Sequence, residues 1–168
     1  FKMAIDKGYT LAMNNYADML ENGEGVEVDI KEALRYYKMA IDNGSTDAMI
    51  SYSNILHHGF GVEINYEESI KYIKMAIDNG STDAMIIYGN ILRNGEGVEA
   101  NIQEAIKYFK MAIDKGSSIA MEIYGCILQS GNGVEVNTQE AIKYFKMAID
   151  KGSSDAMVIY GNILRNGY

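Results

Sequence analysis

Three features of this 168-residue chain have residue types or spacing that chemistry could use: four Gly-x-Gly pairs, two adjacent histidines and a single cysteine. The pairs are Gly23/Gly25, Gly59/Gly61, Gly95/Gly97 and Gly131/Gly133. A phosphate-cradling loop needs its glycines after a strand, whereas these join two helical segments, and the Gly-Glu-Gly copies would aim a carboxylate at the phosphate. They read as turns. His57 and His58 are adjacent on a helix, and such neighbours point about 100° apart, so the two cannot face one metal ion. They read as surface histidines. Cys126 stands at the Asn54 position two periods later, about 20 Å away if layers stack at helix-packing distance. No closed zinc site follows, and as a nucleophile Cys126 has no histidine beside it to act as base.

The elements that hold these residues repeat. Met-Ala-Ile-Asp begins at Met3, Met39, Met75, Met111 and Met147, and Gly8, Gly44, Gly80, Gly116 and Gly152 keep the same 36-residue step without insertion or deletion. A period of this length with two helical segments per unit indicates a solenoid of stacked repeats. In the unit from Gly80 to Lys115, Ser81 and Thr82 can cap a first helix, A, with Asp83 in its first turn. Ala84, Met85, Tyr88, Ile91 and Leu92 give the helix its buried stripe. Gly95 ends it as a left-handed cap and Gly97 turns the chain. Asn101 and Glu104 form a capping box, repeated at Asp29/Glu32, Asn65/Glu68 and Asn137/Glu140. The second helix, B, buries Ile102, Ala105, Ile106, Phe109, Ala112 and Ile113, and Gly116 ends it. Period-two alternation persists nowhere. The expected fold is an all-α solenoid of helix–turn–helix repeats forming one domain over 1–168, with full units at 8–43, 44–79, 80–115 and 116–151 and partial ones at 1–7 and 152–168.

Composition narrows the function. Fifteen basic against 23 acidic side chains leave a net charge of −8, which repels phosphate backbones and anionic membranes alike. No apolar run approaches the ~20 residues that span a bilayer, so neither a nucleic-acid partner nor membrane insertion is expected. One cysteine precludes an internal disulfide and fits a reducing compartment, which favours the cytoplasm. No signal peptide is visible, although the N-terminus looks truncated.

The pattern A-M-x-x-Y-G-x-x-L-x-x-G-x-G-V, then N/D-x-x-E-A-x-K-Y-x-x-x-A and Gly, resembles the Sel-one-like repeat (SLR), a subclass of the tetratricopeptide-type helical repeats. The resemblance covers the whole chain. Ala17 and Ser53 replace the helix-A glycine of Gly89, Gly125 and Gly161, and Ser69 replaces the helix-B alanine; these departures are expected to loosen helix packing slightly. The resemblance implies a right-handed superhelix that holds other proteins, often as an adaptor. Cysteine-rich relatives of the family bind β-lactam-like compounds, which would imply a hydrolase, but their paired cysteines are missing here.

Tyrosines at 16, 52, 88, 124 and 160 and at 36, 72, 108 and 144 form ladders at the repeat period, as do methionines at 13, 49, 85, 121 and 157. All read as core packing between A and B. Lys107, Lys110 and Asp114 read as a solvated outer face of B, and Glu27, Glu63, Glu99 and Glu135 as an acidic ridge along the loops. Helix A is more informative where its copies differ. Opposite its buried stripe stand Asn14, Asn15, Asp18 and Glu21 in the first copy, then Ile50, Ser51, Asn54 and His57. Ile86, Ile87, Asn90 and Arg93 follow, then Glu122, Ile123, Cys126 and Gln129, and last Val158, Ile159, Asn162 and Arg165. Core positions barely change along the chain, while this arc changes at almost every step. Ile86, Ile87, Ile123, Val158 and Ile159 should be partly exposed unless neighbouring units cover them.

These readings predict a scaffold without catalytic residues or cofactor, gripping a protein or peptide along the arc. A regulatory or targeting region of a larger enzyme, such as a kinase or ubiquitin ligase, is the alternative. Residues 8–79 carry five basic and twelve acidic side chains, net −7, and residues 80–151 carry seven and nine, net −2. A bound peptide should therefore place basic residues near the first unit and acidic ones near the last. Because the chain opens on Phe1 inside a B-type segment and closes on Tyr168 after an A-type one, Ile5, Met157, Tyr160 and Leu164 are expected to lack their usual cover. A longer chain, or end-to-end self-association, is the corresponding expectation.

Overall fold

The computed structural model describes residues 3, 5, 8–165 and 167. Among them nine α-helices follow one another with no strand. They are α1 (Thr10–Asn22), α2 (Ile30–Asp42), α3 (Thr46–His58), α4 (Tyr66–Asp78), α5 (Thr82–Asn94), α6 (Ile102–Asp114), α7 (Ser118–Ser130), α8 (Thr138–Asp150) and α9 (Ser154–Arg165). Odd-numbered helices are the A type and even-numbered ones the B type. Of the preceding B-type segment, Met3 and Ile5 are helical, while Phe1, Lys2, Ala4, Asp6 and Lys7 lie outside the described residues, as does Tyr168.

The chain forms two compact units, 1–84 and 85–168. In the first, α1 packs on α2, α2 on α3 and α3 on α4; in the second, α6 packs on α7, α7 on α8 and α8 on α9. Helix α5 begins in the first unit and runs mostly in the second.

The ends of each helix follow from a few polar side chains. Ser45, Ser81, Ser117 and Ser153 cap α3, α5, α7 and α9, each Oγ accepting the N–H of the alanine three residues on at 3.0–3.2 Å, whereas α1 starts after Tyr9 without a side-chain cap. Asp29, Asn65, Asn101 and Asn137 cap the B helices, their Oδ1 atoms accepting the N–H of Glu32, Glu68, Glu104 and Glu140 at 3.0 Å. The reciprocal half of the expected capping box does not form. The N–H groups of those four caps already donate across the loop to the carbonyls of Leu20, Leu56, Leu92 and Leu128 at 2.7–2.9 Å. The glutamates turn elsewhere: Glu32 to Arg35, Glu104 to Lys107, and Glu68 and Glu140 to the side-chain amides of Asn65 and Asn137. Those bonds tie the start of each B helix to the end of the A helix before it. Gly95 and Gly97, at φ of 75° and 73°, supply the left-handed backbone that lets the loop double back.

Between A and B, residue size is matched position by position. A Cβ added at Gly89 would lie 2.6 Å from Cε1 of the Phe109 ring, and one at Gly125 would lie 2.7 Å from Cε1 of Phe145. Glycine is thus the counterpart of a buried phenyl ring. One period earlier the phenyl position holds Ile73, and Ser53 stands where the glycine was. The Ser53 and Ser69 hydroxyls lie 2.8 Å apart in the core. One of the two hydroxyls donates to the other, so the serines partner each other across the helix pair. In the first pair Tyr37 takes the phenyl position and Ala17 faces it in register. Tyr37, Ile73, Phe109 and Phe145 are all fully buried.

The buried stripe of α5 is as expected: Ala84, Met85, Tyr88, Ile91 and Leu92 are all in the core. Of the helix-B set, Ala105, Ile106, Phe109 and Ala112 are buried, while Ile102 and Ile113 are half-buried. The tyrosine ladders are ring pairs between A and B, Tyr16–Tyr36, Tyr52–Tyr72, Tyr88–Tyr108 and Tyr124–Tyr144, edge to face at 4.7–4.9 Å. Met13, Met49, Met85 and Met121 are core residues, but Met157 is exposed. Leu164 is exposed and Tyr160 half-buried, whereas Ile5 is buried, contrary to the expectation that it would lack cover.

Candidate functional site

The outward arc of the A helices is built by the periodicity itself: residues two, six and nine positions after Ala12, Ala48 and their equivalents share one arc of the helix. In the first unit this places Asn14, Asp18 and Glu21 on α1 and Ile50 and Asn54 on α3, all half-buried. On α5 and α7, Ile87, Asn90, Arg93, Glu122 and Ile123 are half-buried and Gln129 is exposed. On α9, Val158, Asn162 and Arg165 are exposed. Two arc residues are corrections. Ile86 is only 8% exposed, so it belongs to the core rather than to a free surface. His57 is also 8% exposed and is not a surface histidine, because its ring lies edge-on to Tyr66 at 4.9 Å and to His58 at 5.1 Å.

Within the first unit a hydroxyl ties two arc acids together. Tyr37 reaches out of the core to lie 2.6 Å from both Asp18 Oδ1 and Glu21 Oε2, and the Asn14 amide donates to Asp18 Oδ2 at 3.1 Å. Burial, then the two carboxylates, push the Tyr37 phenol far above its usual range. The hydroxyl has one proton to donate, so the two carboxylates share a single donor. The sequence signal for this was a tyrosine at a position that otherwise holds Ile73, Phe109 and Phe145, coinciding with acids at both 18 and 21. Tyr52 is pushed up to about 12 by burial and by Glu68.

In the second unit the arc is tied down differently. The Ser153 hydroxyl bonds the Glu122 carboxylate. Burial and Glu122 push the Cys126 thiol up, with Arg93 opposing. A thiol shifted in that direction is a poor nucleophile at neutral pH. Lys110 does more than solvate an outer face: its ammonium lies 5.0 Å from the Tyr124 ring centre, and its bond to Tyr124 pushes its pKa up. Lys107 and Asp114 are exposed as expected, as are the loop acids Glu27, Glu63, Glu99 and Glu135.

Among the described residues no group of three or more His, Cys, Asp or Glu side chains could hold a metal ion, and no helix is long and apolar enough to cross a membrane.

Comparison with known proteins places this architecture. The sequence model of the Sel1 repeat matches residues 10–45, 46–81, 82–117 and 118–153. A Sel1 repeat protein from Oxalobacter formigenes is 32% identical, with a TM-score of 0.84 over 92% of this chain and 63% of its own. A protective antigen of uropathogenic Escherichia coli with an SLR fold is 24% identical, with a TM-score of 0.84 over 99% of this chain and 36% of its own. Cysteine-rich protein B of Helicobacter pylori is 26% identical, with a TM-score of 0.61 over 82% of this chain and 98% of its own. The chain thus spans less than two thirds of the length of the first two. Among curated proteins there is no significant match.

Proposed function

The chain belongs to the Sel1 repeat family, and from that premise we propose that it is a non-catalytic scaffold gripping a peptide or protein segment along the outward arcs of its A helices. Sel1 repeat proteins are generally protein-interaction scaffolds. The observation that carries the finer reading is the contrast between faces. At the phenyl position the repeats keep a large buried side chain, Tyr37, Ile73, Phe109 or Phe145, while Glu21, His57, Arg93, Gln129 and Arg165 occupy one arc position with acidic, basic and neutral groups. A surface free to vary beneath a constrained core is where recognition chemistry can be written without unfolding the repeat. The acid pair held by Tyr37 makes the first unit the end that favours basic partner residues, as its net −7 over residues 8–79 also does.

We treat residues 1–168 as one array with units 8–43, 44–79, 80–115 and 116–151. A photo-crosslinking amino acid placed at position 18, 54 or 90 should capture a protein partner from a cell extract, while the same group at 107 or 143 on the B helices should not. Capture from the B-helix positions alone would overturn the assignment of the surface. A single cysteine with a raised pKa also gives no support to the hydrolase reading drawn from cysteine-rich relatives.

A further inference from the structure

The turn that ends α3 differs in kind from its equivalents. Its rings form a continuous chain: Tyr66 meets His57 at 4.9 Å, His57 meets His58 at 5.1 Å, and His58 stacks on Phe60 at 5.2 Å with only 11° between the planes. One period later the same two stacked positions hold Asn94 and Glu96, joined by a 2.7 Å hydrogen bond. Two periods later they hold Ser130 and Asn132. A polar bridge over the turn has been replaced here by a flat aromatic pair. That pair faces solvent: Phe60 is 54% exposed and His58 is exposed, with Nδ1 of His58 engaged 3.0 Å from the Asn54 carbonyl. The segment that follows carries Glu63 in the loop, and Glu67 and Glu68 on α4 with Lys71 beside them. Glu63 and Glu67 are exposed.

The geometry points to this ring shelf as a docking surface for an arginine side chain of the partner segment. A guanidinium is planar and weakly hydrated, stacks on aromatic faces and pairs with carboxylates through a fork of donors. Exposed, stacked aromatic faces with the exposed Glu63 on the same turn complement that group in both shape and charge. The molecule contains the same arrangement once within itself: the Arg35 guanidinium lies 4.4 Å from the Tyr36 ring centre while its Nε and one terminal nitrogen grip the Glu32 carboxylate at 2.9 and 2.6 Å. At the α3 turn the rings and Glu63 are present and the cation is to come from outside. This deepens the scaffold proposal and rests on it, since it assigns one partner residue type to one end of the α3 arc.

The test titrates the full chain with an acetylated tetra-arginine amide, following backbone amide shifts, with tetra-lysine as the comparison. The variant H58N/F60E installs the Asn94–Glu96 pair that the same turn accommodates elsewhere. It removes the rings yet adds a carboxylate, so net charge and stacking make opposite predictions. Stacking at an exposed site predicts that tetra-arginine binds about two- to fivefold more weakly to the variant, that tetra-lysine does not weaken, and that the wild-type shifts centre on residues 58, 60 and 66. F60N, which copies Asn132 and adds no charge, should also weaken tetra-arginine binding and serves if the double variant is unfolded. Equal or tighter binding of tetra-arginine to either variant overturns the shelf. Shifts confined to the region of Asp18 and Asn54, with His58, Phe60 and Tyr66 silent, overturn it too while leaving the scaffold proposal standing.

Discussion

Between α7 and α8 the Phe145 ring fills the core against Gly125, while between α1 and α2 the register-equivalent Tyr37 faces Ala17 and carries its hydroxyl out to Asp18 and Glu21. Both side chains are fully buried, so the two pairs bury the same kind of ring at the same place. The rings differ by one oxygen and the residues facing them by one methyl group. In α7–α8 the core ends at the ring and the arc above it is set by its own neighbours, such as the Ser153 bond to Glu122. In α1–α2 the core projects a donor into the arc and decides how the arc residues stand. Core and surface can thus be separable in one repeat and coupled in another without any change of fold.

The largest effect expected from breaking that comparison is at the glycine. Gly125→Ala gains about 1 kcal/mol of helix propensity but sets a Cβ 2.7 Å from the Phe145 ring, and overpacking of that kind costs about 1–3 kcal/mol. A net loss of up to about 2 kcal/mol in urea unfolding is expected. Adding Phe145→Ile, which copies the Ser53/Ile73 solution, should recover part of it. If the double variant is less stable than the sum of its parts, size matching is not what ties these positions.

A smaller effect is expected at the serine pair. Ser53→Ala orphans the buried Ser69 hydroxyl, at a cost of about 1 kcal/mol because that hydroxyl can turn to a carbonyl of the preceding turn. The double variant S53A/S69A should lie closer to wild type than the single one, a coupling that a double-mutant cycle measures directly.

The smallest effect at neutral pH is expected from Tyr37→Phe, about 1 kcal/mol or less, since Phe109 and Phe145 show that a phenyl fits and the freed carboxylates are half-buried and can hydrate. Its signature is the pH profile. The folded-state pKa of Tyr37 is raised, so its contribution is fully present below the unfolded value near 10 and is lost as the solution becomes more alkaline. Wild type should therefore lose more stability than Y37F above about pH 10. Parallel curves would mean that the buried hydroxyl does not retain its proton as the geometry requires.

Repetition made the fold legible. The 36-residue step fixed helix number, caps and the buried stripe, because each depends on local residue type and each recurs. The loop-spanning bonds from Asn101 to Leu92 and its equivalents were hidden because a backbone N–H carries no sequence signature. The arc was legible as a place but not as an arrangement. Ile86 and His57 sit at outward wheel positions, yet both are buried, since a single-helix wheel counts no neighbours and His57 finds the Tyr66 ring. Tyr37 was absorbed into a reading of aromatic core positions. Its hydroxyl mattered only once Asp18 and Glu21, on a different helix, were seen to lie within its reach.

The central claim is that recognition lies on the outward arc and that its first unit favours basic partner residues. The most direct measurement is the salt dependence of affinity for whatever protein the chain captures, comparing wild type with D18K/E21K and with a B-face control, K107E/K143E. A cationic contact predicts that D18K/E21K weakens binding by tenfold or more at low salt, a difference of about 1.4 kcal/mol that fades as salt rises, with the control within about twofold of wild type. Unchanged affinity and salt slope for D18K/E21K, together with a loss in the B-face control, would contradict the account.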